Sequence, residues 1–276
     1  MGCNGHLCLD LCKCLARLRA RHLTLALTRA EQLVALGHSF AARGGERFFH
    51  YLFIVANLVG AIVYFAQASD LGWSPVRQSN SLDHGLTRQI FFAKYILWVV
   101  SFPVVNLVIG VLSGVSWSTI IYNIFLSWIW VISYLVGAYT STNYKWGFFA
   151  FGTVSWLILA MSTLHFGRQG AVRVGVSRDY LILAAWANFL WLMYPIAWGL
   201  SDGGNRIGVV AGFIWFGILD VLLIPVMTYI VILLSRKWDY GRLNIAFTQY
   251  GRVATHPGTF PEKTTTAAPA AAAPAV

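Results

Sequence analysis

Asp220 lies deep inside an apolar run, residues 207–234. An ionised carboxylate in low dielectric is very costly unless it is paired or neutral. Two partners are open to it. A protonated Asp220 hydrogen-bonded to Tyr194 would lock two helices together. Alternatively Asp220 forms an ion pair with Lys94, and that pair opens in response to pH or a ligand. The first reading is preferred, because buried polar groups more often serve packing specificity than switching. Of the ten Asp and Glu residues, Asp220 is the one placed mid-run, with Glu31 as the single conceivable addition. A proton pump needs an acceptor and a donor arranged as a relay, and one carboxylate cannot make it. Of the five lysines, Lys94 alone lies inside an apolar run, near its end, while Lys13, Lys145, Lys237 and Lys263 read as loop or tail residues. No amine is placed to form a Schiff base. His165 stands alone at the end of a run and reads as a surface histidine, so no metal site is expected. The hydrolase constellations of acids and bases are also missing.

The elements that must position these residues are membrane helices. The 276-residue chain is 58% hydrophobic and 11% charged, against about 25% charged in a soluble domain. Residues 50–68, 89–112, 118–139, 146–166, 180–200 and 207–234 are apolar runs that approach or exceed the roughly 20 residues of a spanning helix. They are continuous rather than alternating, which excludes spanning strands. A weaker segment, 23–42, carries Arg29, Glu31, Gln32 and His38. One arginine near a helix centre costs about 2.5–3.5 kcal/mol on insertion scales. The segment either crosses with its polar side sheltered in the bundle or lies on the surface as an amphipathic helix. Crossing is the preferred reading and gives seven spans.

With seven spans, Arg43 and Arg47, then Arg168, Arg173 and Arg178, then Arg236, Lys237 and Arg242 fall on one side. Lys and Arg excess marks the cytoplasmic side, so the C-terminus is expected in the cytoplasm and the N-terminus outside. The net charge of +10 is then membrane topology. Nucleic-acid binding is not expected, since no basic run is interleaved with exposed aromatics. Three regions follow: a basic leader with the weak first helix (1–45), the helix bundle (46–240) and a tail (241–276). The stretch 255–276, rich in Thr, Pro and Ala, is expected to be disordered. Cys3, Cys8, Cys12 and Cys14 all lie in the leader. Acylation at Gly2 and Cys3 would need the N-terminus inside, and the cysteine spacing matches no standard zinc pair. A leader of no defined chemistry is the preferred reading.

Three aromatic stripes are more specific than any one of them. Trp191, Tyr194, Pro195 and Trp198 share one helix face, as do Lys94, Leu97, Trp98 and Ser101 ahead of Pro103, and Asp220 marks a third helix. W-x-x-Y-P-x-x-W, K-Y-x-x-W-x-x-S-x-P and L-D-V-x-x resemble the retinal-pocket helices of microbial rhodopsins. Tyr144-Lys145 ahead of Phe149 resembles the fifth-helix entry of that fold. In that family the third helix carries a counterion aspartate where this chain has Leu97, and a proton-donor carboxylate where it has Val108. The retinal lysine falls at Ile224, four residues after Asp220.

A nearer resemblance is to the fungal opsin-related proteins, lysine-less relatives that include stress-induced plasma-membrane proteins of yeasts. It rests on A-S-D-L-G-W (68–73) with Pro75-Val76, R-Q-I-F-F (88–92), T-x-Y-K-W-G-F-F (142–149) and S-D-G-G-N (201–205), and covers roughly 46–240. It implies an all-α, seven-helix, microbial-rhodopsin-like membrane bundle in the plasma membrane. It also implies no covalent retinal and a non-enzymatic, stress-linked role through contact with another membrane protein such as the proton ATPase. Beyond that partner, the lipid bilayer is expected and self-association is open. The alternatives are a rhodopsin-type ion or proton conductance or photoreceptor, and a receptor holding an apolar ligand non-covalently in the retained aromatic pocket.

Overall fold

A continuous apolar segment in a bilayer must satisfy every backbone N–H and C=O within itself, and a helix does this. The computed structural model describes residues 46–238, and its helices fall on the six apolar runs. They are α1 (Glu46–Ala68), α2 (Phe92–Ser113), α3 (Trp117–Tyr139), α4 (Lys145–Val174), α5 (Ser177–Gly203) and α6 (Val209–Ser235). All six are long and apolar enough to cross a membrane. The weak segment 23–42, the four cysteines and the 241–276 tail lie outside the described residues.

Two helices run further than their apolar cores. α4 continues through a π-helical turn at Ser162–Gly167, and α5 through another at Gly199–Gly203. Pro195 lies one turn before the second turn and removes an N–H from the α5 ladder. α6 is interrupted at Ile224, followed by Pro225 as the first residue of its second half.

Sequential helices alternate in direction, so the bundle has two ends. At one end α1 and α2 are joined by an antiparallel hairpin, β1 (Trp73–Arg77) and β2 (Thr87–Phe91), with Trp73 opposite Phe91 and Val76 opposite Arg88. This corrects the run 89–112: its first three residues are strand, and the helix starts at Phe92. At the other end Trp238 packs edge-on against Phe49, and its indole N–H donates to Asp179 at 2.9 Å. That contact joins the ends of α1, α5 and α6.

Large apolar side chains such as Ile62, Phe125, Phe151 and Met161 point outward. Within the bundle lie the polar groups: Asn57, Lys94, Asn106, Asn188, Asp202 and Asp220 are all buried. A bundle that is apolar outside and polar inside is arranged for lipid as its solvent.

Candidate functional site

Asp220 sits on α6 and is reached by three donors from three other helices. Tyr64 of α1 donates its hydroxyl to Oδ2 at 2.6 Å. Trp98 of α2 donates its indole N–H to Oδ1 at 2.9 Å, and Tyr194 of α5 its hydroxyl to the same oxygen at 2.7 Å. The expected Tyr194 contact is therefore present. The three contacts tie α1, α2 and α5 to α6 through one buried carboxyl group.

The alternative, an ion pair between Lys94 and Asp220, is not formed. Lys94 Nζ bonds instead to Asp202 Oδ2. Tyr95 donates to the same oxygen at 2.8 Å, and Arg88 Nε lies 3.6 Å from Oδ1. Lys94 lies one α2 turn from Trp98 toward the hairpin, and the π-helical end of α5 swings Asp202 into its reach. Lys94 also stands over the Phe216 ring at 4.2 Å, a cation–π contact that helps a buried ammonium.

Asp202, Arg88 and Lys145 all read as loop residues, and the structure buries all three. Lys145 donates to the Gly203 carbonyl at 3.1 Å and to Gln78 Oε1 at 3.2 Å. Arg88 donates to Asn205 Oδ1 at 3.1 Å and to the Ile207 carbonyl at 2.7 Å. The S-D-G-G-N motif is thus a built element that gathers three cations. Gly203 is required there, since a Cβ would lie 2.4 Å from the Trp198 ring. Asn205 takes a left-handed backbone, φ 50°, which asparagine tolerates better than most residues. A signal was available: Arg88, Lys94 and Lys145 cluster at the end where Asp202 stands.

The aromatic positions come together, but around each other. Trp98 meets Tyr194 edge-on at 5.2 Å and Phe216 at 5.1 Å. Phe102, four residues beyond Trp98 and not singled out in the sequence, contacts Trp130, Trp191 and Tyr194 at 4.8, 5.9 and 5.1 Å. Trp198 stacks on Phe149 at 5.3 Å and donates its N–H to Tyr95 at 2.9 Å. Ser101 is buried, and its hydroxyl has no partner among the described residues.

Leu97, Ile224 and Asp220 line one cavity of about 10 Å³, together with Asn57 and Tyr64. The two hydrocarbon side chains and the aspartate therefore border one small space. A second cavity, about 20 Å³, is bordered by both Asp220 and Asp202 and by Arg88 and Lys94. Each is near the size of a single water site. Val108 is fully buried on α2, in the apolar core. His165 is exposed, within 3.3 Å of Gln169, and no group of three metal-ligating side chains occurs among the described residues.

Residues 24–232 match the bacteriorhodopsin-like protein family. That match begins inside the weak 23–42 segment. Protein FDD123 of Trametes versicolor is 34% identical over 249 residues, covering 86% of each chain. The opsin-like protein carO of Fusarium fujikuroi is 33% identical, covering 72% of this chain and 67% of that protein. The 30 kDa heat shock protein of Saccharomyces cerevisiae is 31% identical, over 74% of this chain and 68% of its own. Among solved structures, the light-driven proton pump of Coccomyxa subellipsoidea superposes with a TM-score of 0.75 at 26% identity, covering 79% of this chain and 96% of the pump.

Proposed function

Since the chain belongs to the bacteriorhodopsin-like protein family, we propose that it is a non-photochemical, opsin-related protein of the plasma membrane, linked to stress, that acts by contacting another membrane protein such as the proton ATPase. The observation that carries the first half is the Leu97–Ile224–Asp220 cluster. Retinal is the cofactor the fold implies, and these residues do not fit it as a covalent group. Ile224 offers no amine, Leu97 no counterion, and the space between them admits one water at most. The heat-shock name of one relative supports the link to stress, and the partner is implied by the resemblance to the yeast proteins alone.

The proton-conductance reading has one observation in its favour, since Asp202 and Asp220 border the same cavity. A path from there would stop halfway. Between Asp220 and the Trp238 end, the described spans carry no acid until Asp179 at the boundary, and Val108 replaces the internal donor. Illuminated proteoliposomes supplied with retinal are therefore expected to show no pH change beyond protein-free vesicles. A light-driven current of ordinary pump size would refute the reading.

The partner is tested by cross-linking in cells before and after heat stress, with the tagged full chain as bait. Enrichment of the proton ATPase over an equally abundant plasma-membrane protein supports the contact. Equal recovery of the two overturns it.

Orientation gives a further expected result. Arg168, Arg173, Arg178, Arg236 and Lys237 are exposed at the Trp238 end, and an excess of Lys and Arg is the mark of a cytoplasmic face, which supports a cytoplasmic C-terminus. An epitope after Val276 should survive protease added to intact cells. Its removal would reverse the orientation. A tag before Met1 should be accessible from outside if 23–42 crosses.

A further inference from the structure

We propose that the lipid-facing crevice between α3 and α4 is a binding site for a membrane sterol. The crevice has a volume of about 580 Å³, within the roughly 300–1,000 Å³ of sites that take drug-sized ligands. Ser118, Thr119 and Tyr122 line it from α3, and Met161, Ser162 and Phe166 from α4.

Its polarity is graded. Ser118 and Thr119 belong to the first turn of α3, at the membrane boundary, and both hydroxyls lie 2.9 Å from that of Ser116. Ser162, at the start of the π-helical turn of α4, is 6% exposed. A buried serine in a membrane helix is expected to return its hydroxyl to the backbone or to a neighbour, because an unmade hydrogen bond is costly there. Ser162 has no such bond among the described residues, and its side chain borders the crevice. It is an unused donor and acceptor facing a lipid-accessible space.

No Lys, Arg, His, Asp or Glu lines the crevice. A phospholipid headgroup would find no counter-charge there, whereas a sterol brings one uncharged hydroxyl. That hydroxyl meets Ser162 and the Ser118–Thr119 pair. The rigid ring system lies against Tyr122, Phe166 and the adaptable Met161, and a rigid ligand loses little entropy on docking. The site is independent of the Asp220 cluster and of the function proposed above.

The test uses the full chain in phosphatidylcholine nanodiscs with a photoactivatable cholesterol analogue. Cross-links are expected on α3 and α4 at this crevice, reduced by unlabelled cholesterol but not by added phosphatidylcholine. Ser162→Ala should raise the cholesterol needed for competition about three- to fivefold, the equivalent of one hydrogen bond. Ser118→Trp, at an exposed position, should abolish labelling at the crevice and leave the melting temperature unchanged. Labelling on other helices, competition by phosphatidylcholine, or labelling that persists in Ser118→Trp would each overturn the assignment.

Discussion

Asp202→Leu should be the most destabilising single change in the bundle core. It leaves the buried Lys94 ammonium without its carboxylate and removes the charge facing Arg88. Breaking a buried ion pair from one side costs about 3–5 kcal/mol, because the remaining charge is uncompensated. Tyr95 loses an acceptor as well. Adding Lys94→Met to Asp202→Leu should recover part of the loss, since removing both charges is far less harmful than removing one. Arg88 keeps Asn205 and the Ile207 carbonyl in either background. Thermal unfolding in detergent measures all three proteins. Wild-type stability in Asp202→Leu, or a double variant no better than the single, would mean that the pair does not hold the hairpin end together.

The Asp220 series should rank differently. Asp220→Leu orphans three donors at once, on Tyr64, Trp98 and Tyr194. Membrane hydrogen bonds average about 0.6 kcal/mol each, and buried unsatisfied groups cost about 1–3 kcal/mol, so the loss should be about 2 kcal/mol or more. Asp220→Asn keeps an oxygen for Trp98 and Tyr194, and the Tyr64 hydroxyl can turn to accept from the new amide. It should stay near wild type. On sequence alone Tyr194→Phe should match the leucine variant. With Tyr64 and Trp98 also holding the aspartate, it should lie between asparagine and leucine. Lys94→Met should add to Asp220→Asn without rescuing it, because Lys94 answers to Asp202. Rescue would restore the Lys94–Asp220 pairing and a pH-sensitive switch with it.

The six helices are legible in the sequence because lipid demands long continuous apolar runs, and hydropathy detects those directly. The Asp220–Tyr194 contact and the proximity of Trp98 are legible from helical spacing and the resemblance to rhodopsins. The hairpin-end cluster is not. Hydropathy ends each run where polar residues begin, so Asp202 and Lys145 fall outside it, although π-helical and first-turn geometry carry both into the interior. Arg88 is hidden for a related reason, since its strand abuts an apolar helix and Gln89 to Phe91 merge with that run. Tyr64 is missed because one hydroxyl at the end of an aromatic side chain does not interrupt an apolar pattern. Whether the aromatic stripes enclose space or fill it is also beyond spacing. Phe102 occupies the centre, in contact with Trp130, Trp191 and Tyr194.

The central claim is that Ile224 and Leu97 have removed the Schiff-base chemistry from an otherwise retained opsin core. The direct measurement is the visible absorption spectrum of the purified full chain after incubation with all-trans retinal, followed by borohydride reduction and intact-mass analysis. The account predicts no visible band beyond free retinal and no reduced retinyl adduct on the protein. A red-shifted band with a borohydride-trapped adduct, lost in Lys94→Ala or Lys145→Ala, would place a Schiff base on another lysine and contradict it.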